Sequence, residues 1–380
     1  MFGFDLTPEQ AELKELARQF AREKVMPVAA EYDEEETFPE AVCRQAWDLG
    51  LMNLEVPREY GGAGLGLLDS LLMVAELSYG CAGITDALTA SGLAAAPLLL
   101  AGSSGQKKEY LGRLTRDCAH ASLCATAPAP GLRPATSHVT YRKVGDEYVL
   151  NGVERFVSNG SVASWYVTFA AQNPQPGQQS FSCFVVPGDL PGLRKSRIKG
   201  KLGQRAGDTA EVVFEEVVLS CPALVGEEGH GRRIATQSFD RIRPRAGALA
   251  IGISQRALDE ATRYALERQQ FGQRIADFQA IQGILADMAI DLEAMRLLTY
   301  KAAWAIDQGA PASMLPSCAK AFGADAAMRI TTEAVQVFGG YGYMKEYPVE
   351  KLMRDAKVLQ VSEGSSQFQR IVIAEHLLER

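Results

Sequence analysis

The feature that most constrains this chain is a double change in the spacing of its apolar residues, from helical to alternating and back to helical. The first stretch opens with Thr7, Pro8 and Glu9, a hydroxyl cap before a proline tolerated in the first turn. Leu13, Leu16, Ala17 and Phe20 then recur at helical spacing. Further helical patterns carry Ala41, Ala46, Trp47, Leu49 and Leu51, and then Leu72, Val74 and Leu77 within Leu67 to Tyr79. Between about Ala121 and Val225 the pattern shortens to β-rich runs bounded by Gly, Pro and Asn: Val139–Val144, Tyr148–Leu150, Trp165–Ala171, Phe181–Val186 and Val212–Leu219. Helical spacing then returns, with a long helix expected over Arg245–Arg268 and others over Phe278–Gln308, Pro316–Phe338 and Gln367–Leu378. The expected architecture is mainly α with a central antiparallel β-domain. It divides into an N-terminal helical domain over 1–119, a middle β-domain over 120–226 and a C-terminal helical domain over 227–380.

A chain of 380 residues is too long for one ordinary core and can bury a large ligand. The net charge of −7, with no dominant basic stripe, gives no reason to expect nucleic acid. Short clusters such as Arg241, Arg243 and Arg245 remain available for phosphates. The seven cysteines lack CxxC spacing and read as thiols in a reducing compartment. The most apolar run, Leu93–Ala101, contains Pro97 and is well short of the roughly 20 residues a membrane helix needs, so no span is expected. Met1 is followed by Phe2, Gly3, Phe4 and Asp5, without a secretory or transit pattern, which leads to a cytoplasmic expectation; a mitochondrial matrix enzyme lacking its leader reads the same way.

HExxH, GxSxG and GxxxxGK[ST] are absent, and the four histidines show no ligand spacing, so no metal site is expected. Gly61, Gly62, Gly64 and Gly66 follow Pro57, Arg58 and Glu59 rather than a strand and read as a turn. Three segments carry possible chemistry. Val361 to Gln367 sets one carboxylate, Glu363, among hydroxyls and Gly364, suiting close approach to a ligand; Ser365 or Ser366 capping the last helix, with Glu363 at its dipole, explains the segment equally well. Gly339, Gly340, Tyr341, Gly342 and Tyr343 either admit something flat or charged or simply end a helix. Phe239 to Pro244 places Asp240 with Arg241 and Arg243 before the expected helix, for anion recognition or as a solvated charged face.

Taken together and in this order, these pieces resemble the acyl-CoA dehydrogenase family, most nearly its medium- and short-chain members. The motifs that carry the likeness are LERQQFG at Leu266–Gly272, QVFGG at Gln336–Gly340, YPVEKLMRDAK at Tyr347–Lys357 and EGSSQFQR at Glu363–Arg370. The resemblance implies a helical N-domain, a β-barrel-like middle domain and a C-terminal four-helix bundle. It further implies FAD as cofactor, an acyl-CoA substrate, a homotetramer or homodimer, and an electron-transfer flavoprotein as acceptor. By match, Glu363 is the catalytic base, and Ile242 holds the position some relatives use instead. The cofactor positions would be Ala125, Thr126, Phe156, Val157, Ser158, Arg268, Gln270, Phe271, Phe278, Gln279, Gln336, Val337, Gly339, Gly340, Ser365 and Gln367. The substrate positions would be Leu132, Asp240, Arg243, Ser362 and Gly364.

The chain departs from the family where a Thr-Glu-Pro run with following Ser and Asp is usual, reading Ala127, Leu132 and Arg133 in place of the acid, the serine and the aspartate. Phe156 replaces a tryptophan and Ser362 a tyrosine, which points to a wider acyl pocket. The implied reaction is α,β-desaturation of an acyl thioester. The alternatives are a carrier-protein-bound thioester, a flavin-poor or scaffolding homologue, and an oxidase.

Overall fold

The computed structural model describes residues 5–125, 139–172, 181–310 and 314–378. Its first part is helical: α1 (Pro8–Phe20), α2 (Ala29–Glu35), α3 (Glu40–Asp48), α4 (Leu67–Gly80), α5 (Ala82–Thr89), α6 (Ser91–Ala101), α7 (Ser104–Gln106) and α8 (Gly112–Arg116). Thr7 caps α1 in a reciprocal box, its hydroxyl accepting from Gln10 N while the Gln10 side chain accepts from Thr7 N. The segment of Gly61–Gly66 is a turn, with Gly61 and Gly64 at positive φ, as its composition predicts.

The strands follow: β1 (Ala121–Cys124), β2 (Val139–Val144), β3 (Glu147–Ser158), β4 (Trp165–Gln172), β5 (Phe181–Pro187), β6 (Leu193–Arg197), β7 (Thr209–Ser220) and β8 (Leu224–Val225). They form one sheet in the order β6-β7-β3-β2-β4-β5-β8, with β1 beside β4. Most pairs are antiparallel, as expected, while β1–β4 and β2–β4 run parallel. The β3–β7 register slips between Glu154 and Val157, and Phe156 in that slip has φ 59°.

The C-terminal part holds α9 (Gly231–Glu267), the short hairpin β9 (Gln269–Gln270) and β10 (Gln273–Arg274), then α10 (Gln279–Asp307), α11 (Met314–Phe338), α12 (Val349–Lys357) and α13 (Ser366–Leu377). The helix expected to begin at Arg245 begins fourteen residues earlier, with Pro244 inside it. Asp240, Arg241 and Arg243 therefore lie on a helix and not on a lead-in loop. The proline misleads because it lacks an N–H, yet burial of Phe239, Ile242, Ala246 and Leu249 around it outweighs the lost bond.

One core joins the two helical parts, with Leu67, Leu71 and Val74 of α4 packing against Leu249, Ile253 and Met295. Contact is close because α9 presents Gly252 to α4, where a Cβ would lie 2.3 Å from the Ala75 carbonyl oxygen. Asp307 at the end of α10 accepts from Leu67 N and Leu68 N at 2.8 and 2.9 Å, capping α4, whose own N-cap Gly66 has no side chain. On α12, Arg354 pairs with Asp33 and Glu350, and Asp355 accepts from Gln204 N at 2.5 Å. The YPVEKLMRDAK motif thus ties three segments together. All seven cysteines are free thiols, as expected. Residues 82–101 are apolar and long enough for a membrane span by length and composition, yet they form α5 and α6, and 61% of that window is buried within the protein.

Candidate active site

Glu363 sits where α12 and its 3-10 extension hand over to α13. Its backbone is left-handed (φ 53°), a conformation that costs a non-glycine residue energy and is concentrated at functional positions. Gly364 follows at φ 85°. The loop is held from two sides. Lys320 of α11, fully buried, donates to the Gly364 carbonyl at 2.5 Å, and Gln369 Nε2 donates to the carbonyls of Glu363 and Gly364 at 3.2 and 3.1 Å. Ser365 Oγ accepts from Phe368 N at 3.2 Å, so the helix-cap reading of this segment is also correct. The same turn that caps α13 aims Glu363 inward.

The Glu363 carboxyl lies among three buried cations. Arg245 Nη1 approaches Oε1 at 3.4 Å, while Oε2 has no hydrogen-bond partner among the described residues. Burial holds its pKa above the ordinary carboxylate range; Arg245, Lys320 and Arg243 pull it down, and Asp86 pushes it up. Burial likewise brings Lys320 down to about 8, against the nearby negative charges of Glu363 and Asp325. The outcome is a carboxyl group with one buried oxygen that meets no donor among the described residues.

The cluster of Arg241, Arg243 and Arg245, expected to be available for phosphates, is not. Arg241 pairs with Glu55 at 2.6 Å, Arg243 with Asp240 at 2.8 Å, and Arg245 with Asp86 at 2.8 Å. The reason is packing: on a helix buried on most of its faces, each guanidinium needs a carboxylate partner. Asp240 and Arg243, matched to substrate, thus spend these groups on each other, and Arg243 is 3% exposed. Asp86 and Thr89 of α5, which no sequence motif marks as functional, reach Glu363 through Arg245. The signal that could have found Asp86 is an ionisable residue inside the apolar run Gly83–Leu88.

A mostly apolar slot between α4 and α6 is lined by Leu67, Leu71, Leu93 and Leu99, with Thr89, Arg241 and Arg245 among its polar residues. Ile242, at the alternative base position, lines this slot and is 4% exposed. Gly92 faces its open space, with nothing within 4 Å of a built Cβ.

The residues matched to the cofactor occupy three places. Arg268, Gln270, Val337, Gly339 and Gly340 line one cleft together with Tyr264 and Tyr341, and a Cβ on either glycine would meet nothing within 4 Å. Gln336, Phe271 and Gln279 are exposed beside it, and Phe278 meets Phe271 edge to face. On the sheet, Phe156 is 73% exposed and Ala125 and Ser158 half-buried, while the Val157 side chain points into the sheet core, leaving only its backbone to face outward. Gln367 lines a third hollow with Asp325 and Arg370. Ser362 and Gly364 flank Glu363, and all three are half-buried. Thr126 and Leu132, with Ala127 and Arg133, lie outside the described residues. An open glycine cradle beside a guanidinium, and a separate bare aromatic face, fit a dinucleotide with a flat ring system.

The chain matches the acyl-CoA dehydrogenase N-terminal domain over residues 7–117, the middle domain over 122–217 and the C-terminal domain over 229–378. It is 41% identical to the probable medium-chain specific acyl-CoA dehydrogenase 2, mitochondrial, of Caenorhabditis briggsae over 99% of this chain and 92% of the relative. The butyryl-CoA dehydrogenase of Megasphaera elsdenii superposes with a TM-score of 0.94 at 34% identity, covering 99% of this chain and 100% of that one. The prolyl acyl carrier protein oxidase AnaB superposes with a TM-score of 0.92 at 31% identity, covering 98% and 100%. A half-buried carboxylate with one oxygen unpartnered among the described residues, a glycine cleft and full-length likeness converge: this chain belongs to the acyl-CoA dehydrogenase family of oxidoreductases.

Proposed function

We propose that this chain is the subunit of an FAD enzyme that desaturates an acyl thioester, with Glu363 as the base. The carrying observation is Glu363 itself: its side chain is 12% exposed, its Oε2 is buried with no partner among the described residues, and desolvation holds its pKa up. Such a group takes up a proton from a weak carbon acid more readily than a solvated carboxylate does.

The substrate enters with its acyl tail directed into the slot between α4 and α6, which brings Cα to Glu363. Glu363 removes the Cα proton onto its carboxylate, and a hydride leaves Cβ, giving a trans-2-enoyl thioester. When bound, FAD supplies the two-electron acceptor for that hydride. Arg268, Gln270, Phe271, Phe278 and Gln279 would hold its adenosine and pyrophosphate parts from a neighbouring subunit, and Gln336, Val337, Gly339 and Gly340 would approach the cofactor similarly. Ala125, Phe156, Ser158 and the backbone of Val157 would hold its ring, and Ser365 and Gln367 would complete the site. Ser362 and Gly364 border the thioester, and the Asp240–Arg243 pair buttresses that wall. The bare aromatics Phe271 (93% exposed) and Tyr343 (85% exposed) support assembly as a homodimer or homotetramer. An electron-transfer flavoprotein is the proposed acceptor.

Anaerobic titration of the flavin-loaded protein with butyryl-, hexanoyl- and octanoyl-CoA, and with the same acyl groups on a carrier protein, tests this reading. Loss of the oxidised flavin absorbance with any of them supports desaturation, and the effective form identifies the delivery group. An oxidised spectrum unmoved by all six sinks it.

A further inference from the structure

Arg245 both lines the slot between α4 and α6 and pairs with Glu363 through Nη1 at 3.4 Å. It is 8% exposed. Three of its N–H groups are committed: Nε donates to Thr89 Oγ1 at 3.1 Å, and Nη2 donates to Asp86 Oδ1 at 2.8 Å and to Thr89 Oγ1 at 2.7 Å. Thr89 spends its own hydroxyl proton on the Thr85 carbonyl at 2.7 Å, which fixes its oxygen as an acceptor for the fork. Nη1 is different. Among the described residues its acceptor is Glu363 Oε1, at a long 3.4 Å. The guanidinium is clamped on one edge by Asp86 and the slot-lining Thr89, and Nη1, directed at Glu363, makes one long contact there among the described residues.

Building on the desaturase reading, we propose that Arg245 is a specificity-determining residue that selects acyl groups carrying a neutral oxygen acceptor near the γ or δ position. Placement follows from reach. A base works within about 3 Å of the proton it takes, and a guanidinium N–H meets an oxygen at about 3 Å. With Nη1 3.4 Å from Oε1, an oxygen bound there lies a few bonds beyond Cα on the tail entering the slot. Neutrality follows from charge. Arg243, Arg245 and Lys320 are balanced by Asp86, Asp240 and Glu363, so a carboxylate on the substrate would add an uncompensated anion beside the base. An ether, hydroxyl or carbonyl oxygen accepts from Nη1 without that cost. An all-carbon chain offers Nη1 no acceptor.

The test compares hexanoyl-CoA with 4-methoxybutanoyl-CoA, in which one CH₂ of the same chain is an oxygen, and with glutaryl-CoA, which ends in a carboxylate. Each is measured by kcat/KM and, independently of turnover, by equilibrium binding of the corresponding 2-enoyl thioesters. The wild-type protein is compared with Arg245→Lys and with the charge-balanced double variant Arg245→Met/Asp86→Asn, whose flavin spectrum and Tm report folding. A hydrogen bond to a charged donor is worth about 10- to 100-fold. We expect the methoxy-to-hexanoyl ratio to fall by that factor in the double variant, with Arg245→Lys between. In wild type, glutaryl-CoA should be the poorest of the three. An unchanged ratio, or a wild-type preference for glutaryl-CoA, overturns the proposal while leaving desaturation standing. Failure of all three to bleach wild-type flavin removes both.

Discussion

The base side and the sheet side of this molecule are built on opposite plans. Around Glu363 every charged group has a partner from the same chain, the side chains are buried, and the loop is pinned by Lys320 and Gln369. On the sheet and glycine-cleft side, Phe156, Phe271 and Tyr343 stand out from the surface, and Gly339 and Gly340 face open space. One half is enclosed by its own described residues, and the other leaves aromatic rings and glycines open. Reaction chemistry should therefore depend on few residues with large individual effects, and cofactor retention on many with small ones.

The largest expected effect is that of Glu363→Gln. Turnover should fall by about 10²- to 10⁴-fold while flavin is retained, measured by anaerobic single-turnover bleaching. Undiminished rates would break the comparison at its base side. The same variant carries a sign that can be checked. Burial raises the folded pKa of Glu363 above its unfolded value, so its contribution to stability is present below the unfolded pKa and lost as pH rises through the folded one. Glu363→Gln should thus melt above wild type at neutral pH, with the gap closing as pH falls.

Gly364→Ala comes next. A Cβ there lies 2.6 Å from Gln369 Nε2 and 2.8 Å from Phe368 Cδ1, on a backbone at φ 85°. The left-handed backbone alone costs about 1–2 kcal/mol, and shifting the neighbouring carboxylate should lower kcat by about 10²-fold. Urea melts and steady-state kinetics check both. A variant with unchanged kcat would show that the loop tolerates displacement.

Lys320→Met has a smaller effect with a diagnostic direction. Activity requires the ionised base, so kcat/KM should rise with pH through an apparent pKa above the ordinary carboxylate range. Lys320 lowers that value by its charge, so its removal should move the rising limb to higher pH. A limb that stays put, or moves down, would mean that Lys320 serves the loop through its bond to the Gly364 carbonyl alone.

Much of this was legible from the residues. The helix–sheet–helix order follows from periodicity, and the polar loop at Glu363 stands out because one carboxylate lies between two apolar patterns. What was not legible depends on contacts far apart in sequence. Asp86 sits in an apolar helix and gains its meaning from Arg245, 159 residues away. Pro244 signalled a boundary because local propensity is read one residue at a time, whereas burial of the whole of α9 decides the outcome. The parallel β1–β4 pairing left no trace, since partner choice in a sheet is set by topology rather than by alternation.

The smallest effect sharpens the other half of the comparison. Phe156 is 73% exposed, at φ 59°, with Arg155 over its ring at 5.7 Å. In Phe156→Gly, relief of the left-handed backbone, about 1–2 kcal/mol, is offset by the added chain entropy of glycine, about 0.5–1 kcal/mol. The Tm of the flavin-free protein should accordingly stay level or rise slightly. If the ring exists to cover flavin, the same change should speed flavin release, read as fluorescence gained on dilution. Stability and cofactor retention then move in opposite directions, whereas the variants around Glu363 are read in turnover with flavin retained. Equal flavin release from variant and wild type would remove Phe156 from the cofactor site and leave its strained backbone as a consequence of the β3–β7 register slip alone.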